Sequence, residues 1–367
     1  MKWINEWQLI RESNLLDVEH GEHRVSACLL LSYYHLPHHL KYCFTHCSIF
    51  PRGYVINRRR LISQWIAHGF VKPANQVQQP EDVGLAYFDS LLKVGFLQDA
   101  EEYQSSSGEV TTCKMHDLVH DLTRQILQDE FLSGIAATDQ IKRCRYLSLI
   151  SCTGEVDSTL FDKVRALYIS RSNIAFDKTT NHQYCVRTII LDYIRAASLP
   201  LLISKFELLG YLEIYKVNCE ELPEAISHCW NLQAIHVISC KRFAIVPESL
   251  AKLKKLRTLE LVTSNVMTLP QSIGGCDNLQ TLYIHDCRLN GIPDSVANIG
   301  KLRVISIVFP IYLRRALPSW CPLQHLPQCI TLLSHLEYID LKNCCLLEEL
   351  PVLDNYPCSC LSSLFVQ

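Results

Sequence analysis

An aliphatic phrase spaced as L-x-x-L-x-L recurs from about residue 141 to the end of the chain. The second aliphatic residue of successive copies falls at positions 147, 167, 189, 212, 235, 259, 282, 305, 339 and 364. Seven of the nine intervals lie between 22 and 25 residues, while the first is 20 and the eighth is 34. A fixed period in the twenties predicts one small unit per copy, with a core that forms only when the units stack. The sequence therefore predicts about ten stacked units, with an insertion between Ile305 and Ile339.

This phrase and period are typical of a leucine-rich-repeat solenoid, in which each copy supplies one short strand to a parallel sheet. Such arrays bind partners over extended faces, so the repeats predict protein binding and no enzyme activity. In a strand, the residues on either side of the second aliphatic position point away from the core. The predicted partner-binding residues on this face are Tyr211, Glu213, His236, Glu260, Tyr283, Tyr338 and Asp340.

A second column of the repeats follows the first aliphatic residue of each copy and is rich in arginine. Its arginines are Arg145, Arg165, Arg187, Arg257 and Arg303. One interpretation is a solvated edge of the sheet. The other is a basic strip that docks an acidic face, either of a ligand or of a neighbouring domain. On the second interpretation Arg257 and Arg303 are also predicted to bind a partner.

Composition limits the class of protein further. Apolar residues make up 48% of 367 residues, enough for two regions with separate cores. A net charge of −2 gives no overall attraction to nucleic acid or anionic lipid. The sequence has no signal-peptide run and no stretch of the roughly 18 apolar residues that a membrane span needs. The 18 cysteines are therefore predicted to be reduced thiols of a cytoplasmic protein, with no metal site. The cysteines at the repeat turn, eight residues after the first aliphatic position, are Cys152, Cys240, Cys287 and Cys344.

The first 140 residues lack the period and are predicted to form helices separated by turns. Residues Leu61, Ile62, Trp65 and Ile66 form an apolar stripe at helical spacing. That helix ends at Gly69, a second ends at Gly95, a hairpin follows, and a last helix begins near His116. The side chains that this last helix is predicted to bury are Leu118, Leu122 and Ile126. The order indicates a winged-helix module, and the fold class is α+β, a mostly helical domain followed by the repeats.

Several of these residues carry a family resemblance. Within Leu29–Phe70, the stretches LSYYHLP, CFTHCSIFP and LISQWIAHGF resemble the winged-helix subdomain of plant NLR immune receptors. MHDL at Met115–Leu118 is similar to the Met-His-Asp motif of that family, in which leucine-rich repeats also follow. The resemblance implies a helical remnant of the preceding NB-ARC subdomain at 1–27, a winged helix at 28–135 and an incomplete solenoid at 136–367.

The resemblance also implies a function in plant defence. In the family, the repeats recognise a pathogen effector or a modified host protein and restrain a switch driven by ADP and ATP. It further implies that His116 contacts the β-phosphate of ADP in an intact receptor and that Asp117 orients the local structure. The alternative for both residues is an ordinary helix start with an exposed histidine.

The chain also departs from the family. No G-x-x-x-x-G-K-[ST] phosphate-binding loop occurs in the sequence, and its Gly-Lys pair, Gly300-Lys301, lies inside a repeat. By itself this chain is therefore predicted to bind no cofactor and to catalyse no phosphoryl transfer.

Three other patterns invite a different chemistry. HDLVH at 116–120 imitates the zinc-peptidase phrase H-E-x-x-H, but its acid is shorter and no third ligand is evident. The Arg58-Arg59-Arg60 run is short and has acidic residues near it, which favours a solvated or interdomain face over DNA binding. Cys43 and Cys47, four residues apart on an apolar helix, favour core packing over metal or redox chemistry.

Two alternative functions stay open. One is a non-catalytic repeat scaffold or a truncated decoy that only holds a partner. The more distant one is a DNA-binding winged-helix protein. Because the tenth copy has no polar cap, we also expect poor solubility of the isolated chain.

Overall fold

The computed structural model describes residues 21–75, 77–105, 108–134, 143–156, 161–176, 184–195, 199–309, 322–344, 346–348 and 363–365. The chain divides into two compact units, Met1–Glu102 with Thr111–Phe131 and Tyr103–Val110 with Leu132–Gln367. Most of the helical remnant predicted at 1–27 lies outside the described residues. Its proposed end falls inside the helix Gly21–His35, so that helix continues across the proposed boundary.

The winged-helix region has the predicted order of helices, hairpin and final helix. Its elements are α1 (Gly21–His35), α2 (His38–His46), β1 (Ile56–Asn57), α3 (Arg58–His68), α4 (Pro80–Lys93), β2 (Gln98–Ser105), β3 (Gly108–Lys114) and α5 (Asp117–Leu127). The three strands form one sheet in the order β1-β3-β2.

Helix α3 shows how the local sequence sets its bounds. The Asn57 side chain accepts a hydrogen bond from the Arg60 backbone N–H at 3.2 Å and so caps the first turn. Gly69 ends the helix at a φ of 73°, a conformation that costs glycine little. Between these ends Trp65 is fully buried, and its Nε1–H donates to the Cys43 carbonyl at 3.1 Å, which fixes α3 against α2.

Helix α5 begins where the sequence predicts, but it buries a different face. Its core side chains include Val119, Leu122 and Leu127, whereas Leu118 is 36% exposed and Ile126 is half-buried. The prediction is therefore wrong for Leu118. Two stripes that both contain Leu122 fit the helical period, and hydrophobicity alone does not choose between them.

After α5 the chain forms the repeats. Their elements are β4 (Phe131–Ser133), β5 (Tyr146–Ile150), β6 (Thr153–Val156), β7 (Ala166–Ser170), β8 (Asn173–Phe176), β9 (Thr188–Asp192), α6 (Leu199–Ser204), β10 (Tyr211–Tyr215), β11 (Ala234–Ile238), β12 (Thr258–Val262), β13 (Thr281–His285), β14 (Val304–Val308), β15 (Tyr338–Asp340) and β16 (Ser363–Phe365).

Each predicted copy supplies one strand to a single sheet. The strands β5, β7 and β9 to β16 follow one another in that sheet, and each pair of neighbours is parallel. The second aliphatic residues of adjacent copies are register partners, as Leu212 is with Ile235 and Leu282 is with Ile305. The predicted fold class, a winged helix followed by a leucine-rich-repeat solenoid, is confirmed.

The strands end in an unusual backbone conformation. The residues that directly follow seven of them are Ser151, Arg171, Tyr193, Lys216, Ser239, Thr263 and Asp286, and their φ angles lie between 49° and 55°. Non-glycine residues rarely adopt this left-handed region. Each of the seven donates its backbone N–H to the last carbonyl of the next strand, as Lys216 does to Ile238 at 2.9 Å. The hydrogen bond to the neighbouring copy therefore stabilises a turn that is costly by itself.

On the opposite side of the core, five copies return through short 3-10 turns. Each turn starts after a proline, and these are Pro223, Pro247, Pro270, Pro293 and Pro327. The turns approach one another closely. A Cβ added to Gly274 would lie 2.3 Å from the Ser295 carbonyl oxygen, so the spacing of these two turns requires glycine.

The turn cysteines lie in the core, as predicted for structural thiols. Cys240, Cys287 and Cys344 are buried, whereas Cys152 is half-buried against the core. The Sγ atoms of Cys240 and Cys287 lie 3.4 Å and 3.3 Å from the carbonyls two residues before them. The cysteines that the structure describes are all free thiols.

Part of the predicted insertion lies outside the described residues, namely 310–321 with Trp320. Cys345, Cys358 and Cys360, whose spacing in the sequence lacks the second pair that a zinc site needs, lie outside them as well. The chain is described again from Pro322, and Leu323 and Leu326 rejoin the core of the repeats. Among the described residues, no helix has the length and apolar character that crossing a membrane requires.

Candidate functional site

His116 occupies the start of α5, where four backbone N–H groups lack partners within the helix. Its Nδ1 accepts a hydrogen bond from the Leu118 backbone N–H at 3.2 Å, so the imidazole caps the helix. An accepting Nδ1 carries no proton, which places the proton of the neutral ring on Nε2. The ring is exposed, and its Nε2–H is thus a donor beside the positive end of a helix dipole.

Asp117 is the first residue of α5 and is exposed. A carboxylate in the first turn interacts favourably with the helix dipole. This position fits the orienting role predicted for Asp117, and it also fits an ordinary helix start.

The second histidine of the HDLVH sequence belongs to the core. His120 is 1% exposed, and its Nε2 lies 2.8 Å from the Phe50 carbonyl oxygen. Burial is the main cause that lowers its pKa, which favours the neutral ring. No cluster of three metal-binding side chains occurs in the part of the chain that the structure describes. His120 therefore connects α5 to the Phe50 segment, and this arrangement does not support a zinc site.

The Cys43 region forms a second buried polar cluster. His46 is fully buried, and its Nε2 lies 2.8 Å from Gln64 Oε1. Its ring packs edge-on against the ring of His68, with 4.6 Å between the two ring centroids. Burial lowers the pKa of His46 to about 4. Burial also raises the pKa of Cys43 and Cys47 far above the ordinary range, so both thiols pack as small apolar groups.

The predicted partner-binding face of the repeats is only partly accessible. Four of the predicted residues are at most 3% exposed, namely Tyr211, Glu213, His236 and Asp340. The expectation that these four side chains face solvent is wrong. Strand alternation places them on the face away from the aliphatic core, but each lies between register partners about 4.8 Å away. The other three, Glu260, Tyr283 and Tyr338, are half-buried.

Most of the polar groups on this face bind one another. The Tyr211 hydroxyl donates to Glu213, and His236 Nδ1 lies 2.6 Å from Glu260 Oε2. The Tyr338 hydroxyl donates to Asp340 at 3.2 Å. These contacts give the buried polar groups the partners that they require. The side chains of four of these residues therefore form contacts within the repeats and are not accessible to a partner, namely Tyr211, Glu213, His236 and Asp340.

The accessible part of the face lies farther along the array. We call it the open face, and its half-buried residues are Thr258, Glu260, Thr281, Tyr283, Val304 and Tyr338. The equivalent side chains of β5 to β11 are buried, as Tyr168, Ile190 and Ala234 show. A partner that binds this side of the sheet therefore meets strands β12 to β15.

Two of the five arginines of the predicted basic strip, Arg257 and Arg303, have side-chain partners within the repeats. Arg303 forms a two-pronged contact with Glu337, with N–O distances of 2.8 Å and 2.7 Å. Arg257 donates to Gln280 Oε1 at 3.0 Å. Arg303 and Glu337 occupy the same position in successive copies, directly after the first aliphatic residue. An alignment of the copies therefore predicts that these two side chains are neighbours. The strip is thus less basic at Arg303 than its arginines alone suggest.

The Arg58 run is paired in a similar way. Arg58 lies 3.9 Å from Glu102 and is half-buried. Arg52, on the loop before β1, pairs with Asp121 of α5. These contacts agree with a charged face that is partly neutralised by acidic neighbours, which disfavours DNA binding.

Comparison with known proteins supports the resemblance. Residues 49–123 match the family model of the disease resistance protein winged helix domain, and residues 278–299 match that of the leucine-rich repeat. The chain is 26% identical over 252 residues to the disease resistance RPP13-like protein 1 of Arabidopsis thaliana, covering 63% of this chain and 23% of that protein. It is 36% identical over 121 residues to the disease resistance protein RGA1 of Solanum bulbocastanum, covering 33% of this chain and 12% of that protein.

A solved structure extends over more of the chain but is less similar. The leucine-rich repeat domain of the type III effector XopL superposes with a TM-score of 0.38 at 17% identity, covering 94% of this chain and 95% of that one. The chain spans less than a quarter of the length of the two plant relatives. The chain therefore contains a winged helix and leucine-rich repeats that are similar to those of plant disease resistance proteins.

Proposed function

We propose that this chain is the regulatory and recognition part of a cytoplasmic plant immune receptor and acts by binding proteins, not by catalysis. The observation that carries the proposal is the continuous parallel sheet with its open face, in a chain that also matches the disease resistance winged helix. In this proposal the open face binds a pathogen effector or a modified host protein. The winged helix and the repeats restrain a nucleotide-dependent switch formed with a nucleotide-binding region.

The nucleotide part of the proposal rests on His116. Its Nε2–H is a neutral donor at a helix start, and a phosphate oxygen is a suitable acceptor there. One donor does not make a nucleotide site, and no phosphate-binding loop occurs in the sequence. We therefore propose that this chain alone binds neither ADP nor ATP and that His116 adds one contact to a site built mainly by the nucleotide-binding region.

A binding experiment tests the restraint. The whole chain is titrated with a purified nucleotide-binding region of a plant NLR receptor, with and without ADP, by biolayer interferometry. We expect saturable binding that ADP strengthens and that His116→Asn makes less dependent on ADP. Asparagine keeps a helix cap but removes the imidazole donor. Absence of saturable binding would overturn the restraint proposal.

The arginine column is tested in the same assay. Because Arg303→Glu alone would leave two carboxylates facing each other, we combine Arg303→Glu with Glu337→Arg, which preserves the pair and reverses its direction. If the strip docks an acidic face, this swap and Arg257→Glu each weaken binding about ten-fold, in the range measured for close charge pairs. Lys241→Glu, at an exposed lysine elsewhere on the repeats, is the matched control. Equal affinity of all variants would remove the strip from the proposal.

The two alternative functions have distinct outcomes. A scaffold or decoy would bind an effector or host protein without binding the nucleotide-binding region. A DNA-binding winged helix would shift a DNA fragment at low salt and lose it at higher salt. No observation in the structure favours either over the immune receptor.

A further inference from the structure

Three neighbouring strands of the repeat sheet end in turns that align long side chains. The strands β7, β9 and β10 are adjacent in the sheet, and the residues directly after them are Arg171, Tyr193 and Lys216. Their φ angles are 49°, 52° and 52°, and each donates its backbone N–H to the last carbonyl of the next strand. Because the three turns share one backbone conformation in register, their side chains project from the same edge of the sheet, about 4.8 Å apart.

Cations and tyrosine rings alternate at this edge. The Arg171 Cζ lies 5.9 Å from the centroid of the Tyr193 ring, and the Lys216 Nζ lies 5.2 Å from the same centroid. The Lys216 Nζ also lies 4.8 Å from the ring centroid of Tyr215, the last residue of β10. A cation within about 6 Å of a ring centroid is attracted to the ring, so the two tyrosines hold the cations at the edge.

The same group of residues is accessible to solvent. We call it the basic edge, and it consists of Arg171, Tyr193, Arg195, Tyr215 and Lys216. Tyr193 is 50% exposed, the three cations are exposed and Tyr215 is half-buried. None of the three cations forms an ion pair with a residue that the structure describes.

One carboxylate lies next to the basic edge, that of Asp192 at the end of β9. Its Oδ2 accepts hydrogen bonds from the Ser170 hydroxyl at 2.9 Å and from the Tyr168 hydroxyl at 3.3 Å. Three cations and one carboxylate leave a formal charge of +2 at this edge, whereas the whole chain has a net charge of −2. The basic edge is therefore a local positive surface on a protein that is negative overall.

We infer that the basic edge binds an acidic segment of a partner protein through two or more carboxylates. Arginine and tyrosine are enriched among the residues that dominate the energy of protein interfaces. Arg171 and Lys216 leave the sheet two strands apart, about 10 Å, which roughly three residues of an extended segment span. The tyrosine rings restrict both cations before a partner arrives, so binding costs less side-chain entropy.

This surface is separate from the open face. The basic edge belongs to the ends of β7, β9 and β10, whereas the open face belongs to β12 to β15. Its composition favours a protein over a nucleic acid as the partner. A nucleic acid site neutralises many phosphates with lysine and arginine, but the basic edge offers three cations beside a carboxylate. The half-exposed ring of Tyr193 adds an apolar surface that suits a protein interface.

The test uses the whole chain and a fluorescein-labelled hexaglutamate peptide, followed by fluorescence anisotropy at low and at physiological salt. We expect saturable binding that weakens as the salt concentration rises. Arg171→Gln and Lys216→Gln should each weaken binding about three-fold, and the double variant about ten-fold. Lys252→Gln, at an exposed lysine in a 3-10 turn on the opposite side of the core, is the matched control and should leave binding unchanged.

Two variants of Tyr193 separate the role of the ring from that of charge. Tyr193→Phe keeps the aromatic face and should bind hexaglutamate as the wild type does. Tyr193→Leu removes that face, frees the two cations and should weaken binding about three-fold. Thermal unfolding of each variant verifies that the chain is folded. Equal binding by the phenylalanine and leucine variants would contradict the role of the ring.

The inference is overturned if hexaglutamate does not bind saturably, or if Lys252→Gln weakens binding as much as Lys216→Gln does. It is also overturned if a labelled thymidine hexanucleotide binds as tightly as hexaglutamate, because the site would then accept polyanions in general. The assay contains no nucleotide-binding region, so its result is independent of the restraint experiment above.

Discussion

Acidification should destabilise the winged helix through His46. This side chain is fully buried and neutral, and burial depresses its pKa from 6.5 to about 4. The unfolded chain therefore binds a proton at a pH where the folded chain does not. The contribution of the neutral ring is complete above pH 6.5 and is lost as the pH falls from there towards 4.

The size of the effect follows from the same values. One unit of pKa is worth about 1.4 kcal/mol, so the whole depression corresponds to roughly 3 kcal/mol of unfolding free energy. Between pH 7 and pH 5, where most carboxylates stay ionised, the loss amounts to roughly 2 kcal/mol. His120 acts in the same direction because burial lowers its pKa as well.

The assay is urea unfolding of the whole chain at pH 7, 6 and 5, with hydrogen exchange of the α3 peptides reporting on this unit. The control is His46→Gln, which offers an amide to Gln64 and cannot titrate. This variant should have a lower free energy of unfolding than the wild type at pH 7. Between pH 7 and pH 5, however, its free energy of unfolding should fall by about 2 kcal/mol less than that of the wild type. Equal losses in the two proteins would refute the assignment to His46.

Three further stability predictions use urea or thermal unfolding. His116→Ala removes the cap of α5 and should cost about 1 kcal/mol, whereas His116→Asn should cost less than half of that; equal costs would contradict the capping role. Leu259→Ala, at a fully buried core position, should cost about 2–5 kcal/mol, while Leu332→Ala, at a residue 71% exposed, should stay within about 0.5 kcal/mol. Gly274→Ala forces two turns apart and should cost about 1–3 kcal/mol, whereas Gly300→Ala meets no atom within 4 Å and should be tolerated; similar melting temperatures would refute the close approach.

The repeat strands could be predicted because each copy contains the same aliphatic pattern, L-x-x-L-x-L. The second aliphatic residue of every copy became a register partner of the next, including Ile305 and Ile339 across the long interval. An insertion of this kind leaves the strands on either side free to pair. The period therefore predicted both the sheet and the order of its strands.

Exposure was harder to predict than register. Alternation along β10 correctly separates Leu212 from Tyr211 and Glu213, but it does not show what lies over each face. The hydroxyl of Tyr211 and the carboxylate of Glu213 are buried because they bind each other and pack between neighbouring strands. The contact of His236 with Glu260 joins residues of two different copies, so a pattern within one copy cannot reveal it.

A comparison of equivalent positions in successive copies is enough to find the contact between Arg303 and Glu337. In α5 the prediction of the buried face was wrong because two overlapping apolar stripes fit the helical period. The stripe that packs in the core is the one that contains Val119.

The left-handed turns have a consequence for how such an array changes over evolution. Each turn donates its amide to the following copy, so the stability of one repeat depends on the length and phase of the next. Gain or loss of a whole copy leaves every remaining donor opposite an equivalent acceptor. Insertion of a single residue within a strand or turn moves the turn N–H away from its carbonyl acceptor in the next copy. The left-handed turn then loses the hydrogen bond that stabilises it. Recombination between copies should therefore be tolerated where small insertions are not, and the number of repeats can vary while their internal spacing stays nearly constant.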